Sequence, residues 1–306
     1  METIRTTGLG RRFGEQWALR NLDLTIREGE IFGLVGPDGA GKTTTMRLLT
    51  TLLEPSEGEA WVDGLPAQRE PEAIKERIGY MSQRFGLYPD LTVQENIAFY
   101  ADLYGVGAAE RAERMERLLA FSNLTPFRRR MAGNLSGGMK QKLGLACALI
   151  HTPRVLFLDE PTNGVDPVSR RDFWRILYQL LAEKVTIFVS TAYLDEAERC
   201  SRIGLLHQGR LLACDTPEGV KRLMQGTLLE LRCEGIRQAG SLLRAAGLGK
   251  VALFGDRLHI LVADADLGRS AVEAALRAAG LACLDLRVAE PSLEDVFTSA
   301  LPGSAA

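Results

Sequence analysis

Apolar and polar positions along the chain fall into blocks that predict alternating strands and helices. Residues 30–35 and 155–160 contain short apolar runs bounded by turn residues, which indicates buried strands. Residues 44–53 and 140–150 carry apolar positions at helical spacing. This alternation predicts an α/β fold for the first part of the chain.

The pattern changes after residue 225, where we expect a domain boundary. The first domain then covers residues 1–225 and a second, smaller domain covers residues 226–300. The order βαββαβ predicts a ferredoxin-like α+β fold for the second domain. Its strands are predicted over residues 227–233, 251–254, 257–262 and 282–288, and its helices over residues 236–246 and 270–279.

The second domain shows no residues that look catalytic. Regulation, dimer support, partner recognition and a purely structural role all stay open for it. The last residues, 301–306, are expected to be disordered.

A glycine-rich segment, Gly36-Pro-Asp-Gly-Ala-Gly-Lys-Thr43, lies between the first apolar strand and its helix. Glycines let the backbone turn tightly, so that amides point at a polyphosphate bound where a helix begins. We expect Lys42 to reach the β- and γ-phosphates and the Thr43 hydroxyl to hold Mg²⁺. The chain is therefore predicted to bind a nucleoside triphosphate.

A second serine- and glycine-rich segment, Leu135-Ser-Gly-Gly-Met139, stands before another helix, where its amides again face an anion. A single site does not need two such segments. The next strand ends in two carboxylates, and we expect Asp159 to hold the Mg²⁺ shell and Glu160 to polarise an attacking water.

This order of motifs resembles the nucleotide-binding domain of ATP-binding cassette (ABC) transporters over about residues 2–225. Residues 36–43 match the Walker A loop, residues 155–159 the Walker B strand and residues 135–139 the family signature. The resemblance implies a P-loop NTPase fold with a RecA-like core, an antiparallel β subdomain and a helical subdomain at about residues 84–150. Residues 92–105 and 109–122 have the helical spacing that this subdomain needs.

In this family two cassettes pack head to tail, with ATP between the Walker A loop of one and the signature of the other. The resemblance therefore implies ATP and Mg²⁺ as cofactors, and a second cassette and a multi-span membrane permease as partners. It assigns Glu160 and Gln83 to catalysis, and Thr43, Gln83 and Asp159 to Mg²⁺. It assigns Phe13, Gly36, Asp38, Gly39, Ala40, Gly41, Lys42, Thr43, Thr44, Ser136, Gly137, Gly138 and Asp166 to ATP.

Two of these assignments have alternatives. Phe13 matches the aromatic residue that stacks on adenine, but a packing role is an equally good interpretation of Phe13. Trp17 is an alternative candidate for stacking on adenine. Gln83 matches the glutamine that contacts Mg²⁺ and meets the permease. The stretch after it, residues 84–96, resembles the surface that exporters present to their permease, although Phe85, Leu87 and Tyr88 are alternatively core residues.

The main departure from the family pattern is at Ala192, in Ser190-Thr-Ala-Tyr-Leu-Asp-Glu-Ala-Glu198. The family has a histidine there that contacts the γ-phosphate and orients water. A methyl group does neither, and loss of such a group slows chemistry by roughly 10²–10⁴-fold. The chain's own site is thus predicted to be a poor hydrolase. Asp38, where asparagine is common, adds a negative charge that weakens or retunes binding.

A heterodimer accounts for a degenerate site beside an intact signature, because the partner cassette then supplies one complete site. A homodimer stays possible. The two motifs at residues 36–43 and 190–198 resemble the first cassette of fused double-cassette multidrug exporters. Since this chain holds one cassette, the second is expected on a separate polypeptide.

Composition limits the classes of function. The chain has 306 residues and a net charge of −2, so no basic field points to nucleic acid. The five cysteines lack metal-like spacing and read as reduced thiols. No apolar run is long enough to span a membrane and no export signal is present. We therefore expect a cytoplasmic protein held at the inner membrane face by its permease.

Three functions fit these observations. The first is the energy-coupling ATPase subunit of an exporter of drug-export type. The second is a regulatory or structural ATP-binding cassette with little hydrolysis of its own, which serves a catalytic partner cassette. The third is a soluble cassette acting on ribosomes or DNA, which is disfavoured because tandem cassettes and long coiled-coil insertions are missing.

Overall fold

The computed structural model describes residues 1–83 and 86–300, so the predicted contact residue Phe85 and the tail after residue 300 lie outside it. The described chain divides into two units, the first ending at Cys214 and the second starting at Asp215. This division precedes the expected boundary at residue 225. The reason is a short helix, Pro217–Arg222, which packs against a helix at Leu293–Ala300 in the second unit.

The first unit combines two sheets with a group of helices. In chain order its strands and helices are β1 Glu2–Phe13, β2 Gln16–Arg27, β3 Ile31–Val35, α1 Lys42–Leu49, β4 Glu57–Val62, β5 Leu65–Pro66, α2 Pro71–Arg77, β6 Ile78–Met81, α3 Val93–Leu103, α4 Ala108–Phe121, α5 Gly137–Leu149, β7 Val155–Asp159, α6 Pro167–Ala182, β8 Thr186–Thr191, α7 Leu194–Ala197, β9 Arg202–His207 and β10 Arg210–Asp215.

The larger sheet has the strand order β10-β9-β3-β8-β7-β6, and the pairs from β9 to β6 are parallel. Its central strands β3, β7 and β8 are buried at every position, as the apolar runs predict. Phe32 and Phe157 both contact the ring of Phe188 in the core, with ring centroids 5.4 and 5.7 Å away. Because the strands are parallel, their carboxyl ends meet at one edge.

The smaller sheet is antiparallel, in the order β2-β1-β4-β5. Helices α3, α4 and α5 form the predicted helical part, where α3 starts with a capping box between Thr92 and Glu95. These features confirm the predicted cassette fold, with its core, antiparallel sheet and helical subdomain.

Two predicted helices start or end elsewhere. Helix α1 begins two residues before the expected Thr44 and ends at Leu49, because Thr51 takes a positive φ of 60° that no α-helix continues. Helix α5 begins at Gly137 instead of Lys140, because the Ser136 side chain caps it by accepting a hydrogen bond from the Met139 amide at 3.3 Å.

The second unit has the predicted order βαββαβ. One additional helix precedes this order and another follows it, and the sequence pattern did not assign either helix to this domain. Its antiparallel sheet has the order β12-β13-β11-β14. The elements are α8 Pro217–Arg222, β11 Thr227–Cys233, α9 Ile236–Ala245, β12 Lys250–Phe254, β13 Arg257–Val262, α10 Ala265–Ala278, β14 Cys283–Ala289 and α11 Leu293–Ala300.

Helix α10 starts five residues before the predicted Ser270, because Asp264 caps it by accepting from the amides of Asp266 and Leu267 at 3.0 and 2.9 Å. None of the helices in the described ranges is long and apolar enough to cross a membrane.

Candidate functional site

The glycine-rich loop lies at the carboxyl edge of the larger sheet, directly after β3. Gly39 and Gly41 have φ values of +78° and +107°, which only glycine adopts without strain. A Cβ atom on Gly36 would lie 2.2 Å from the Leu206 carbonyl oxygen, so no larger residue fits there. Helix α1 starts at Lys42, and its first amides have no partner within the helix. The loop and helix start together form an anion-binding cradle.

The side chain of Lys42 is almost fully buried in this cradle. Its Nζ donates to the carbonyl oxygens of Gly36 and Pro37 at 2.7 and 3.1 Å. It also forms an ion pair of 3.0 Å with Glu160 Oε1. Because burial of an unpaired charge is costly, the carboxylate of Glu160 holds the lysine charge here. A γ-phosphate would offer the lysine a competing negative partner.

Asp159 and Glu160 are held by one hydroxyl on the neighbouring strand. Ser190 lies opposite Asp159 in the sheet, donates to Asp159 Oδ1 at 2.6 Å and accepts from the Glu160 amide at 3.0 Å. Glu160 has a positive φ of 49°, which is rare outside glycine. Ser190 was not among the site residues that the sequence predicted.

Asp159 and Thr43 meet where a divalent cation is expected. Thr43 Oγ1 donates to Asp159 Oδ1 at 3.3 Å, while the other oxygen, Oδ2, is buried without a hydrogen-bond partner among the described residues. A buried carboxylate oxygen needs a partner, so these residues fit a metal ion or its water shell. Mg²⁺ keeps several waters and uses few protein ligands, which suits a hydroxyl and one carboxylate beside a phosphate.

Gln83 and Asn163 both approach the second oxygen of Glu160. Gln83 Nε2 donates to Glu160 Oε2 at 3.0 Å, and Asn163 Nδ2 donates to the same oxygen at 3.3 Å. The structure thus brings Gln83 to Glu160, while its predicted contacts with Mg²⁺ and the permease stay predictions. Asn163 was missed by sequence reasoning, because its position between Pro161 and Asp166 gave no sign of its direction.

A small cavity of about 120 Å³ lies beside Glu160. Ala192 and Asp38 line it, together with Asn163 and Tyr193. The Ala192 side chain is exposed, and its methyl group neither forms a hydrogen bond with phosphate nor transfers a proton. Tyr193 lies under the Arg170 guanidinium at 4.4 Å from its ring centre, and its hydroxyl is 3.5 Å from Asn163 Oδ1.

The histidines elsewhere have other surroundings. His151 stacks on Tyr104 with ring centroids 3.8 Å apart, and its Nε2 lies 2.9 Å from the Ile78 carbonyl oxygen. Burial lowers its pKa. His259 belongs to the second unit. The first unit therefore uses His151 for packing.

We call the second serine- and glycine-rich segment, Ser136 to Gly138, the signature lip. Ser136 and Gly137 are exposed, and a Cβ on Gly137 would meet no atom of the described ranges within 4 Å. Gly138 is buried, and a Cβ there would lie 2.4 Å from the Cβ of Ser169 on α6. The lip is therefore a surface feature at the start of α5, packed on α6 from behind and open in front.

Asp166 caps helix α6. Its Oδ1 accepts from the amides of Ser169 and Val168 at 2.9 and 3.1 Å. The hydrogen bond from the Ser169 backbone is the main cause that lowers the pKa of Asp166, so the residue is a carboxylate at neutral pH. This capping role accounts for the position of Asp166 within a single chain. Its predicted contact with the opposite site of a cassette pair stays a prediction.

The two candidate aromatic residues are on the hairpin of β1 and β2. Phe13 is 51% exposed with the Arg11 guanidinium over its ring, and Trp17 lies between Arg12 and Arg20. The hairpin runs next to the glycine-rich loop, since a Cβ on Gly41 would be 2.5 Å from the carbonyl oxygen of Ala18. Both rings thus stay candidates for stacking on a base.

Comparison with known proteins decides the family. The model of the ABC transporter family matches residues 19–163. Over 98% of its length the chain is 43% identical to a probable multidrug ABC transporter ATP-binding protein of Escherichia coli (strain K12). Over 96% of its length it is 38% identical to a daunorubicin resistance ATP-binding protein of Streptomyces coeruleorubidus, of which it covers 93%. The chain belongs to the ABC transporter family.

The solved structures agree with this assignment. A dimeric ATP-binding cassette in a post-hydrolysis state with ADP and phosphate aligns with a TM-score of 0.64 and 28% identity, covering 70% of this chain and 98% of that cassette. The chain spans only about half, 52%, of the Escherichia coli relative. The predicted family, cassette fold and ATPase class are confirmed.

Proposed function

We propose that this ABC cassette couples ATP binding and hydrolysis to export through a separate membrane permease. Its relatives are named as a probable multidrug ABC transporter ATP-binding protein and as daunorubicin and linearmycin resistance ATP-binding proteins. These names support an exporter of drug or antibiotic type. The cassette would then be held at the cytoplasmic face of the membrane by the permease. The transported substrate is a property of that permease.

In this proposal ATP binds to the cradle formed by residues 36–44, with its phosphates on the loop amides and Lys42. Thr43, Asp159 and Gln83 would hold Mg²⁺, which shields the phosphate charge when bound. The ion pair between Lys42 and Glu160 supports the arrangement. When the lysine turns to the γ-phosphate, the Glu160 carboxylate loses its cation and is free to accept a proton from water.

The exposed signature lip is the observation on which the assembly proposal rests. Its front carries no side chain at Gly137 and faces open space, while the chain already has a complete phosphate cradle of its own. A helix start with free amides attracts an anion. The lip is therefore suited to the triphosphate of a second cassette, which packs head to tail on this one.

Ala192 supports a second candidate function. A site without an imidazole keeps its means of binding ATP but lacks one group for hydrolysis, so this chain would serve chiefly as a regulatory cassette for a catalytic partner. A heterodimer fits this better than a homodimer, in which both sites would lack the histidine. The partner cassette lies on the same or on another polypeptide.

Two measurements test the proposal. First, affinity purification of the tagged chain from its native membranes should recover a multi-span membrane protein and a second cassette. Recovery of ribosomes or DNA instead would contradict it. Second, ATP turnover by the isolated chain should be slow although ATP binds. Trapping of ATP in the assembled pair without phosphate release would favour the regulatory function, and fast turnover by the isolated chain would refute the degenerate site.

A further inference from the structure

Two cysteines of the second unit lie opposite each other on neighbouring strands. Cys233 ends β11, Cys283 begins β14, and the two are paired in the antiparallel register. The Glu234 amide donates to the Ala282 carbonyl at 3.2 Å, so the hydrogen bond lies beside the cysteine pair and not within it. In a pair of this kind the Cα atoms are about 4.5 Å apart, and disulfides need about 4.4–6.8 Å.

A local irregularity of β14 creates this pairing. Arg232 pairs with Asp285, so a regular ladder would put Leu284 opposite Cys233. The register shift after Arg232 puts Cys283 there instead. Paired residues point to the same face of a sheet, and Cys233 lies on the core face. Burial first, and then the charge of Cys283, raises the pKa of Cys233, which agrees with two sulfur atoms close together.

We propose that Cys233 and Cys283 form an oxidation site, at which a peroxide converts the two thiols into one intramolecular disulfide. The two cysteines differ in the way that such a reaction needs. Cys283 is exposed and meets the oxidant, whereas Cys233 is only 8% exposed and is protected from it. Cys283 is therefore the first to react, and Cys233 is the resolving thiol.

The reaction balances with one peroxide molecule. The Cys283 thiolate attacks one peroxide oxygen, the O–O bond breaks, and the products are a sulfenic acid and one water. The Cys233 thiolate then attacks the Cys283 sulfur, the S–S bond forms, the S–O bond breaks, and hydroxide leaves to become a second water. Two electrons pass from the sulfur atoms to the peroxide. Because the thiolate is the nucleophile and burial raises the pKa of both thiols, the rate increases with pH.

The disulfide would join an edge strand to a central one. Strand β14 lies at one edge of the sheet and β11 lies next to it. The closed loop contains α9, β12, β13 and α10, which is most of the second unit. Oxidation would therefore tie down the strand that leads into α11 and restrict the unfolded state of the whole unit.

The test is peroxide treatment of the full chain, followed by thiol counting in denaturant and by tryptic mapping without reductant. We expect the number of thiols to fall by two from five. A linked pair of peptides, residues 233–237 and 278–287, should appear and vanish on reduction. The buried Cys147 and Cys200 should stay unmodified.

Three variants make the result decisive. Cys283→Ser should abolish the linked peptides, and Cys233→Ala should leave Cys283 as an unresolved sulfenic or sulfinic acid. Cys214→Ser should still give the linked peptides, and its thiol count should still fall by two. Circular dichroism checks that each variant is folded. A wild-type chain in which Cys283 is overoxidised, links to another molecule or links to another cysteine would overturn the proposal.

Discussion

Restoring the imidazole at Ala192 is the perturbation that most directly probes how this site hydrolyses ATP. Ala192 is exposed and lines a cavity of about 120 Å³ next to Glu160. One water needs only about 10–15 Å³ of such space, so the cavity has room for a side chain larger than a methyl group, such as an imidazole. Asp38 lines the same cavity and offers an acceptor for the second ring nitrogen.

We expect Ala192→His to raise the turnover number of this site by at least about 10²-fold, since a positioned proton-transfer or hydrogen-bonding group supplies roughly 10²–10⁴-fold. A factor of 10² corresponds to about 2.7 kcal/mol of activation free energy. The assay is release of phosphate at saturating ATP, with thermal melting to check that the exposed substitution leaves stability unchanged.

Ala192→Phe is the control, because it fills the cavity with a ring that has no hydrogen-bonding nitrogen. It should give no gain. An equal gain from phenylalanine and histidine would mean that filling the cavity, and not the imidazole, limits the rate. A gain below about twofold from histidine, or fast turnover by the unmodified site, would refute the reasoning about Ala192.

Two further predictions concern other parts of the molecule. Ser190→Ala removes the hydroxyl that donates to Asp159 and accepts from the Glu160 amide. Since a hydrogen bond to a charged group contributes about 1.5–3 kcal/mol, the Mg²⁺ concentration for half-maximal activity should rise about tenfold or more. An unchanged Mg²⁺ titration would contradict this. The second prediction concerns His259, whose Nδ1 lies 2.6 Å from Asp295 Oδ1. This hydrogen bond is the main cause that raises the pKa of His259. Burial acts to raise the pKa of Asp295, but hydrogen bonds from His259 and Ser292 outweigh it and lower that pKa. A histidine whose pKa is raised by folding stabilises the fold at pH values below its pKa in the unfolded chain, near 6.5, and this stabilisation is lost as the pH rises through its pKa in the folded chain. Melting of the second unit should therefore show a loss of stability above about pH 6.5, and His259→Gln should abolish it. The same pH dependence in the variant would refute the assignment.

Local patterns predicted most of the elements, because the apolar runs of β3 and β7 and the alternating apolar positions of β13 bury the residues that their periodicity indicates. Strand β14 alternates as well, but there Leu286 is buried while Leu284 and Val288 are exposed. The errors fall at helix ends, which depend on single capping residues such as Ser136 and Asp264. Helix α11 was missed although Ser292 and Asp295 form a reciprocal cap at its start, a signal that the sequence does contain.

The conformation of the loop from Gly36 to Thr43 was predictable, because the loop is positioned by its own strand and helix. Ser190 and Asn163 were not, because their roles come from the neighbouring strand and from a loop that turns back on Glu160. The pairing of Cys233 with Cys283 likewise depends on a register shift that periodicity does not reveal.

The central claim is that the signature lip of this cassette acts on a triphosphate held by another cassette, and Gly137→Ala tests it most directly. The added Cβ meets nothing within 4 Å among the residues that the structure describes. Alanine is also a better helix former than glycine, so folding and ATP binding by the isolated chain should be unchanged. Gly107→Ala is a matched control, since a Cβ at Gly107 also meets open space.

The measurement is the ATPase rate of the assembled complex that contains each variant. We predict that Gly137→Ala lowers the rate at least about tenfold, because a methyl group between the lip amides and the phosphate removes hydrogen bonds that are worth roughly 10²-fold or more in such sites, while Gly107→Ala leaves it unchanged. A full rate with Gly137→Ala would contradict the account.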